Sequence, residues 1–340
     1  MNDAIALIVT GAVAKGPFHA GVLSVLAERA VPVASVVGTS AGALNAALFA
    51  AGAVTGRVKH AAHVAKEVWL DHASWSDIVS PSLGELLHGQ VPFDAKRIRQ
   101  MLAEAMARVM DSTEAPDQPP RADVHLRVIA TDLLGHLKSE EGPDEPAQTT
   151  FERSFEFTAP DFVSSAGRAR ILDCATASAT FPLLFAPSRI DGRAYIDGGA
   201  VNNAPVSYAI EPFSTRRLVV VSGQPAEMDA PASLGAVGLL PHIVDILINE
   251  RLFRDLRAAR KTNRKLTAVE QALSDPAVPE EVRAKVRAAL DWQPLDILEI
   301  RPLSSLEGNA LAGFGSRELR RAYFDEGIRR AEAVLRTPSA

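Results

Sequence analysis

The sequence predicts a single α/β domain whose parallel strands are buried between helices. Three observations lead to this prediction. The first fifty residues alternate between strand and helix patterns, 47% of the 340 residues are apolar, and no repeat or clean linker divides the chain. Charged residues make up 23%, an ordinary share for a folded protein, so wholesale disorder is excluded.

The first fifty residues predict a βαβ unit followed by a further helix. Residues 4–9 and 33–37 are short, continuous apolar runs, which are typical of parallel strands covered on both faces. Helical patterns follow them at 18–29 and at 41–51. This alternation at this spacing indicates two neighbouring parallel strands with a helical crossover between them.

The rest of the chain predicts more helices, several strands and polar connectors. Residues 57–110 form a helical insertion, and proline-rich connectors are predicted at 111–123 and 138–148. Later elements are strands at 125–130, 150–157, 193–196, 218–221 and 295–300, and helices at 238–273 and 316–335. We therefore expect a catalytic core over 4–225 and a helical extension over 226–340, with one further strand, packed on the same domain.

Charge and cysteine content exclude several classes of protein. Lys and Arg number 36 against 41 Asp and Glu, so a net charge of −5 gives no bulk attraction to nucleic acid. The single cysteine, Cys174, cannot form an internal disulfide or a Cys-rich metal site. No basic, apolar leader is visible, and the most apolar run, 41–54, is shorter than the roughly 20 residues that span a bilayer. The sequence predicts a cytoplasmic protein.

A serine after the second predicted strand has the surroundings of a nucleophile. Gly38, Ser40 and Gly42 form a G-x-S-x-G pattern directly after the strand at 33–37 and directly before the helix at 41–51. A tight strand-to-helix turn strains the serine backbone, and the flanking glycines let other segments approach without a Cβ clash. The following helix points free N–H groups at the place where negative charge develops. The pattern therefore predicts that Ser40 is catalytic.

A serine nucleophile needs a base, usually a histidine held by a carboxylate. In an α/β-hydrolase several strands precede the serine and a histidine follows far downstream. Here one strand precedes it, and only His242, in a helical stretch, lies far downstream. His60 and His63 have the spacing of helix neighbours, for which a surface pair is favoured over a zinc site. The sequence argues against the α/β-hydrolase fold.

Asp197 is the better partner for Ser40. It ends a short predicted strand and is followed by Gly198 and Gly199, which let another backbone pass close by. An acid at this point is held rigidly, although an ordinary Asp-Gly turn gives the same pattern. On this segment alone, both interpretations stay open.

Five segments together resemble the patatin-like phospholipases. They cover most of residues 4–225, in the order and spacing of that family. The segments are the loop and helix at 10–23, GTSAGALNAALFA at 38–50, VIATDLLG at 128–135, ATASATFPLLFAP at 175–187 and YIDGGAVNNAPV at 195–206. The resemblance implies a three-layer α/β/α fold with a central, mostly parallel sheet and helical insertions. It also implies serine-dependent hydrolysis of lipid acyl esters.

By this resemblance the active site is a Ser–Asp dyad without histidine. Ser40 is the nucleophile, and Asp197 is the general base that takes its proton and later activates water on an acyl-enzyme. The oxyanion hole falls on Gly11, Ala12 and Val13. The supporting residues are Lys15, Gly16, Gly38, Gly42, Gly198 and Gly199. No metal or cofactor is implied, and the partner is a lipid or phospholipid, with peripheral contact to a membrane.

The first loop departs from the family pattern of three consecutive glycines. Gly11 is followed by Ala12 and Val13, whereas Lys15 and Gly16 match the pattern. Backbone N–H groups stabilise an oxyanion, so other residues are allowed, but a β-branched residue at positive φ is strained. Losing one oxyanion donor typically costs about 100- to 1000-fold in turnover.

Three other functions stay open at this stage. A lipid-binding scaffold with a degraded oxyanion hole would bind lipid without turnover. An acyltransferase would use the same serine, although Thr39 stands where those enzymes have histidine. A dinucleotide-binding protein is disfavoured, because Gly11 and Gly16 lack the G-x-G-x-x-G spacing. Head group, acyl chain and oligomeric state are undetermined.

Two further features have both a structural and a functional interpretation. Residues 249–265 carry arginines at every third position beside leucines, which suits a solvated helix face over a packed one, or a helix lying on anionic lipid. Trp69 and Trp75 suit ordinary core packing, or a cap over an acyl channel.

Overall fold

The structure, a computed structural model, describes most of the 340 residues. The described ranges are 4–79, 93–138, 148–182, 184–210, 216–225, 227, 236–290 and 294–336. Part of the predicted helical insertion at 57–110, residues 80–92, and most of the predicted connector at 138–148 lie outside the described residues.

Within these residues eight strands form one mixed sheet. In chain order they are β1 (Ile5–Val9), β2 (Val33–Thr39), β3 (His125–Lys138), β4 (Gln148–Thr158), β5 (Ser188–Ile190), β6 (Arg193–Asp197), β7 (Arg217–Val221) and β8 (Asp296–Ile300). Their spatial order is β5-β6-β3-β2-β1-β7-β8, and β4 pairs with β3 outside this path. The strands β3, β2, β1, β7 and β8 run parallel, whereas β4, β5 and β6 are antiparallel to their neighbours. The predicted, mostly parallel sheet is confirmed.

Helices connect the strands and cover both faces of the sheet. In chain order they are α1 (Gly16–Glu28), α2 (Ala41–Thr55), α3 (Val58–Asp71), α4 (Trp75–Ile78), α5 (Lys96–Met110), α6 (Ala159–Val163), α7 (Ser165–Ser178), α8 (Val206–Ile210), α9 (Ala236–Leu273), α10 (Glu280–Leu290), α11 (Ala312–Gly315) and α12 (Arg317–Arg336). Short 3-10 turns cover Val13–Lys15 and Gly198–Ala200.

Alternate residues of the central strands enter two separate cores. In β1, Leu7 and Val9 belong to the larger core, which contains α1, α2, α3 and α5. Ala6 and Ile8 point to the opposite face, where Leu256 of α9 is buried against the sheet. Since side chains alternate between the two faces of a strand, a sheet with apolar residues at every position must be covered on both sides. This explains the continuous apolar runs and gives the three layers.

Several elements differ from the sequence expectation. Strand β3 continues eight residues past the predicted end at Ala130, because β4 pairs with it along its whole length, with an irregularity between Thr131 and His136. Helix α7 was not predicted, since its sequence, SAGRARILDCATAS, has almost no amphipathic pattern. Neither α10 nor the three-residue strand β5 was predicted. The division into a core over 4–225 and an extension over 226–340 stays a prediction.

The basic stretch at 249–265 lies within α9. Leu256 is buried, and Phe253 packs under the guanidinium of Arg301. Arg260 forms an ion pair with Glu299 on β8. This part of α9 therefore packs an apolar face on the sheet and ties one of its arginines to a neighbouring strand.

Candidate active site

Ser40 occupies the tight turn between β2 and α2. Its backbone has φ 57° and ψ −133°, a strained combination for a residue with a side chain. Gly42 lies against β1 so closely that a Cβ there would collide with the carbonyl oxygen of Val9. The turn therefore lies close against β1 and directly follows β2. This position places the side chain of Ser40 at the carboxyl end of the sheet.

Asp197 is the last residue of β6 and reaches Ser40 directly. The Ser40 hydroxyl donates to Oδ2 of Asp197 at 2.6 Å, and the N–H of Gly199 donates to Oδ1 at 2.8 Å. On the backbone side, the Thr131 hydroxyl donates to the Asp197 carbonyl at 2.7 Å. Both carboxylate oxygens are thus held, and the two residues singled out in the sequence lie side by side although 157 positions separate them.

Burial makes Asp197 an unusually strong base for a carboxylate. It raises the pKa of Asp197 from 3.8 to about 6, against the hydrogen bonds from Ser40 and Gly199, which lower the pKa. Desolvation disfavours the charged form of the carboxylate and is the largest influence on its pKa. At neutral pH the carboxylate is still mostly ionised, and it is a stronger base than the carboxylate of an ordinary aspartate.

Ser178 supports the strained turn from behind. The Ser40 N–H donates to Oγ of Ser178 at 2.8 Å, and the Ser178 hydroxyl donates to the carbonyl of Ile129 on β3 at 2.6 Å. Ser178 is fully buried at the end of α7. A single hydroxyl therefore satisfies two buried backbone groups and links Ser40 to a neighbouring strand.

The loop after β1 places Gly11 and Val13 beside Ser40. Val13 has φ 48°, which is the left-handed conformation. A glycine adopts this conformation without strain, whereas a β-branched residue is strained in it. The N–H of Gly11 donates to Oδ1 of Asn203 at 2.7 Å. Within the described part of the chain, the N–H groups of Ala12 and Val13 have no acceptor.

The supporting residues named from the sequence lie around this loop and turn. Gly198 passes so close to β3 that a Cβ would collide with the carbonyl oxygen of Ile129, which explains the glycine after Asp197. Lys15 is buried in the 3-10 turn that precedes α1, although it carries a charge. Gly16 starts α1 against the ring of Trp69, and Gly38 precedes Ser40 on β2.

An apolar cavity opens over the dyad. Its empty space is about 490 Å³, with open solvent at its mouth included. Besides Ser40 and Asp197 its lining is apolar, and consists of Val13, Ala41, Leu44, Trp69, Ala73, Ile78, Ile98, Met101, Ala179, Phe181, Leu184, Phe185 and Phe314. The walls come from α2, α3, α4, α5 and α11 and from the segment after α7. The apolar lining of this cavity suits an aliphatic chain.

The two tryptophans considered in the sequence have different surroundings. Trp69 is buried, forms part of the cavity wall, and donates its Nε1–H to Oδ1 of Asn45 at 2.8 Å. Trp75 is partly buried and packs edge-on against Phe314, whose ring lines the cavity. Trp69 is therefore both a core residue and a wall of the cavity.

No metal-binding cluster of three or more His, Cys, Asp or Glu side chains occurs among the described residues. His19 is buried in α1, and neither of its ring nitrogens has a hydrogen-bond partner among the described residues. Burial lowers the pKa of His19 to about 3. His60 pairs with Glu114, and His63 with Glu67, at the surface.

Comparison with known proteins assigns the family. The family model of patatin-like phospholipases matches residues 7–210, which is more than half of the chain. This span contains the turn at Ser40, the loop at 11–13 and Asp197. The chain therefore belongs to the patatin-like phospholipase family, a class of lipid hydrolases.

Two solved structures are similar over nearly the whole chain. VipD from Legionella pneumophila aligns over 98% of this chain and 67% of its own, with 15% identity and a TM-score of 0.44. The type III effector protein ExoU aligns over 98% of this chain and 53% of its own, with 12% identity and a TM-score of 0.39. Both scores are low, so the family assignment depends on the family model.

Two residues at the site, Ser178 and Asn203, were not assigned a role from the sequence. Ser178 and Asn203 lie in the segments 175–187 and 195–206, and each binds a backbone N–H of another loop. Nothing local distinguishes them from other small polar residues, since their partners are remote in sequence.

Among the described residues, no helix has the length and apolar character that crossing a bilayer requires.

Proposed function

We propose that this chain hydrolyses fatty-acyl esters of phospholipids or other lipids with Ser40 as nucleophile and Asp197 as general base. The observation that supports this most directly is the 2.6 Å hydrogen bond from the Ser40 hydroxyl to the Asp197 carboxylate beside an apolar cavity. Membership of the patatin-like phospholipase family supports the same chemistry.

The reaction divides into two acyl transfers. The acyl chain occupies the apolar cavity, and Asp197 takes the proton of the Ser40 hydroxyl as Oγ attacks the ester carbonyl carbon. The tetrahedral intermediate collapses, the ester bond breaks, and the proton returns from Asp197 to the leaving alcohol or lysolipid. Asp197 then takes a proton from water, whose oxygen attacks the acyl carbon of the acyl-enzyme. The bond from that carbon to Oγ breaks, the proton passes from Asp197 to Oγ, and the fatty acid is released with the Ser40 hydroxyl restored.

Two backbone N–H groups suit the oxyanion of that intermediate. The N–H of Gly11 is engaged by Asn203, whereas those of Ala12 and Val13 have no acceptor in the described residues. We assign the donor role to Ala12 and Val13, and Gly11 to the support of the loop. Ser40 also lies directly before the 15-residue helix α2, whose N-terminal dipole favours negative charge.

A lipid-like fluorophosphonate tests the dyad. It forms a stable covalent bond with an activated serine, so intact mass spectrometry counts the adducts. We expect one adduct on the wild-type chain, none on Ser40→Ala, and labelling slowed by at least about 100-fold on Asp197→Asn, because the nucleophile then lacks its base. Hydrolysis of a p-nitrophenyl ester should fall in parallel.

Each alternative function gives a different result in this experiment. Lipid binding by folded wild-type protein without any adduct at Ser40 would contradict hydrolysis and favour the scaffold. Acyl transfer to an added thiol or alcohol that outruns hydrolysis would favour the acyltransferase. Release of fatty acid from vesicles, dependent on Ser40, would support contact with a membrane surface.

A further inference from the structure

Asn203 connects two loops of the site that are far apart in sequence. It lies after the 3-10 turn that follows Asp197, it is fully buried, and its Oδ1 accepts the N–H of Gly11 at 2.7 Å across 192 positions. Gly11 begins the loop that carries Ala12 and Val13. The side chain of Asn203 therefore joins the loop after the proposed base to the loop with the proposed oxyanion donors.

We propose that Asn203 is a positioning residue for ester hydrolysis. Its side-chain oxygen holds Gly11 so that the N–H groups of Ala12 and Val13 face the oxyanion formed at Ser40. This inference rests on the proposed function, and assigns to one amide oxygen the task of aligning the donors.

The loop needs such a restraint because its own conformation is unfavourable. Val13 lies at φ 48°, where a β-branched residue is strained, and such a conformation persists only where the surrounding structure holds it. The far end of the loop is held by the N–H of Ala14, which donates to the carbonyl of Ala310 at 3.1 Å. The bond from Gly11 to Asn203 holds the near end. The two bonds bracket Ala12 and Val13.

The contact also explains why position 11 remains a glycine when the next two do not. A Cβ at this position would lie 2.6 Å from Oδ1 of Asn203 and 3.1 Å from Cβ of Ser40. Gly11→Ala must therefore displace either the amide oxygen or the serine. It disturbs the same hydrogen bond from the opposite side, without altering Asn203.

The experiment compares Asn203→Leu, Asn203→Asp and Gly11→Ala in the full chain. Leucine is close in size to asparagine but has no acceptor, whereas aspartate keeps an oxygen for the Gly11 N–H. With a p-nitrophenyl ester we expect Asn203→Leu to lower kcat by about 10- to 100-fold and leave KM within about 2-fold. Asn203→Asp should retain more activity than Asn203→Leu, and the double variant Gly11→Ala/Asn203→Leu should be no worse than its poorer single variant.

A transition-state analogue separates alignment of the donors from general loosening. An alkyl trifluoromethyl ketone forms a tetrahedral oxyanion on an active serine, whereas the matching alkyl ether does not. We expect Asn203→Leu to weaken ketone binding by about the same factor as kcat/KM, and to leave ether binding unchanged. Urea unfolding establishes that each variant is folded under the assay conditions.

Asn202 provides the matched control. It has the same side chain, and in the described structure its Oδ1 has no hydrogen-bond donor, so Asn202→Leu should keep wild-type kcat. Equal loss in Asn203→Leu and Asn203→Asp, or equal loss of ketone and ether binding, would overturn the role of Asn203. So would wild-type kcat in Asn203→Leu. If wild-type protein forms no fluorophosphonate adduct at Ser40, the proposed function fails, and this inference fails with it.

Discussion

The site combines two residues in states that cost stability. Ser40 has a strained backbone at φ 57°, and Asp197 carries a buried carboxylate whose pKa is raised to about 6. Neither state is favourable by itself, so the surrounding structure must impose both. Ser178 holds the N–H of Ser40, and Gly199 and Thr131 hold the carboxylate and carbonyl of Asp197. Strain of this kind is typical of functional sites.

Ionisation of Asp197 has opposite effects on activity and on stability. Its folded-state pKa, about 6, is above the ordinary value of 3.8, so protonation favours the folded state. This contribution of protonated Asp197 to the free energy of unfolding is fully present below about pH 4 and is lost as the pH rises through about 6. In the proposed mechanism the base must be ionised, so we expect kcat/KM to rise with pH over the same range and to level off above about pH 7.

Asp197→Asn should therefore stabilise the protein while it slows catalysis. At pH 7.5 we expect the free energy of unfolding in urea to rise by about 2–3 kcal/mol, since the buried charge is removed. At pH 4 the difference should shrink towards zero.

A second buried carboxylate provides the comparison for this prediction. Asp132 is buried, and its Oδ2 accepts two hydrogen bonds from the guanidinium of Arg193, at 2.9 and 2.7 Å. Asp132→Asn weakens that ion pair, so it should lower the free energy of unfolding. Destabilisation of both variants at pH 7.5 would show that the charge on Asp197 has no net cost.

At the scale of elements, the helices around the dyad determine the size of the cavity. Helix α2 begins directly after Ser40 and carries Leu44, whereas α5 contributes Ile98 and Met101 from the helical insertion. Met101 also lines a polar groove on the outer side, together with Gln100 and Arg97. Met101 is therefore a partition between the cavity and that groove.

A smaller side chain at Met101 should favour ester substrates with longer acyl chains. Met101→Ala removes part of one wall, and about 0.8 kcal/mol is gained for each further methylene that becomes buried. We expect the ratio of kcat/KM for a palmitoyl over a butyryl p-nitrophenyl ester to rise by about 3- to 10-fold. Gln100→Ala is the control, because Gln100 lines the groove and not the cavity. An equal change in both variants would refute the assignment of Met101 to the wall.

At the scale of the whole molecule, the C-terminal part shares the core of the rest. Strand β8 pairs with β7 in the same sheet, and α12 packs along α1. Arg320 of α12 is buried and donates to the carbonyl oxygens of Leu70 and Gly313. The loop after β1 also depends on this region, through the bond from Ala14 to Ala310.

A chain ending at residue 225 should consequently fail to fold. Its loss of β8 would leave β7 as an exposed edge, and its loss of α12 would uncover the apolar surface of α1. We expect residues 1–225 to be insoluble or to lack cooperative urea unfolding, and residues 1–336 to behave like the full chain. A soluble 1–225 fragment that unfolds cooperatively and reacts at Ser40 would show that the core is independent of the extension.

The sequence supported prediction wherever the relevant physics is local. The strands at 4–9 and 33–37 were predicted because a strand covered on both faces is apolar at every position. Ser40 was predicted from a glycine-flanked turn between a strand and a helix, whereas the glycine pair after a strand left two interpretations of Asp197 open, and the family resemblance assigned its role. Helix α7, with no amphipathic stripe, and the extension of β3, which depends on β4, could not be found in this way.

The sequence by itself determined the α/β alternation, the serine turn and, by resemblance, the family. Only the tertiary structure decided which groups of the site are paired. The N–H of Gly11 binds Asn203, the N–H of Ser40 binds Ser178, and Val13 takes a positive φ between fixed neighbours. The physical reason is distance along the chain: each partner is more than a hundred positions away, and such contacts leave no local pattern in the sequence.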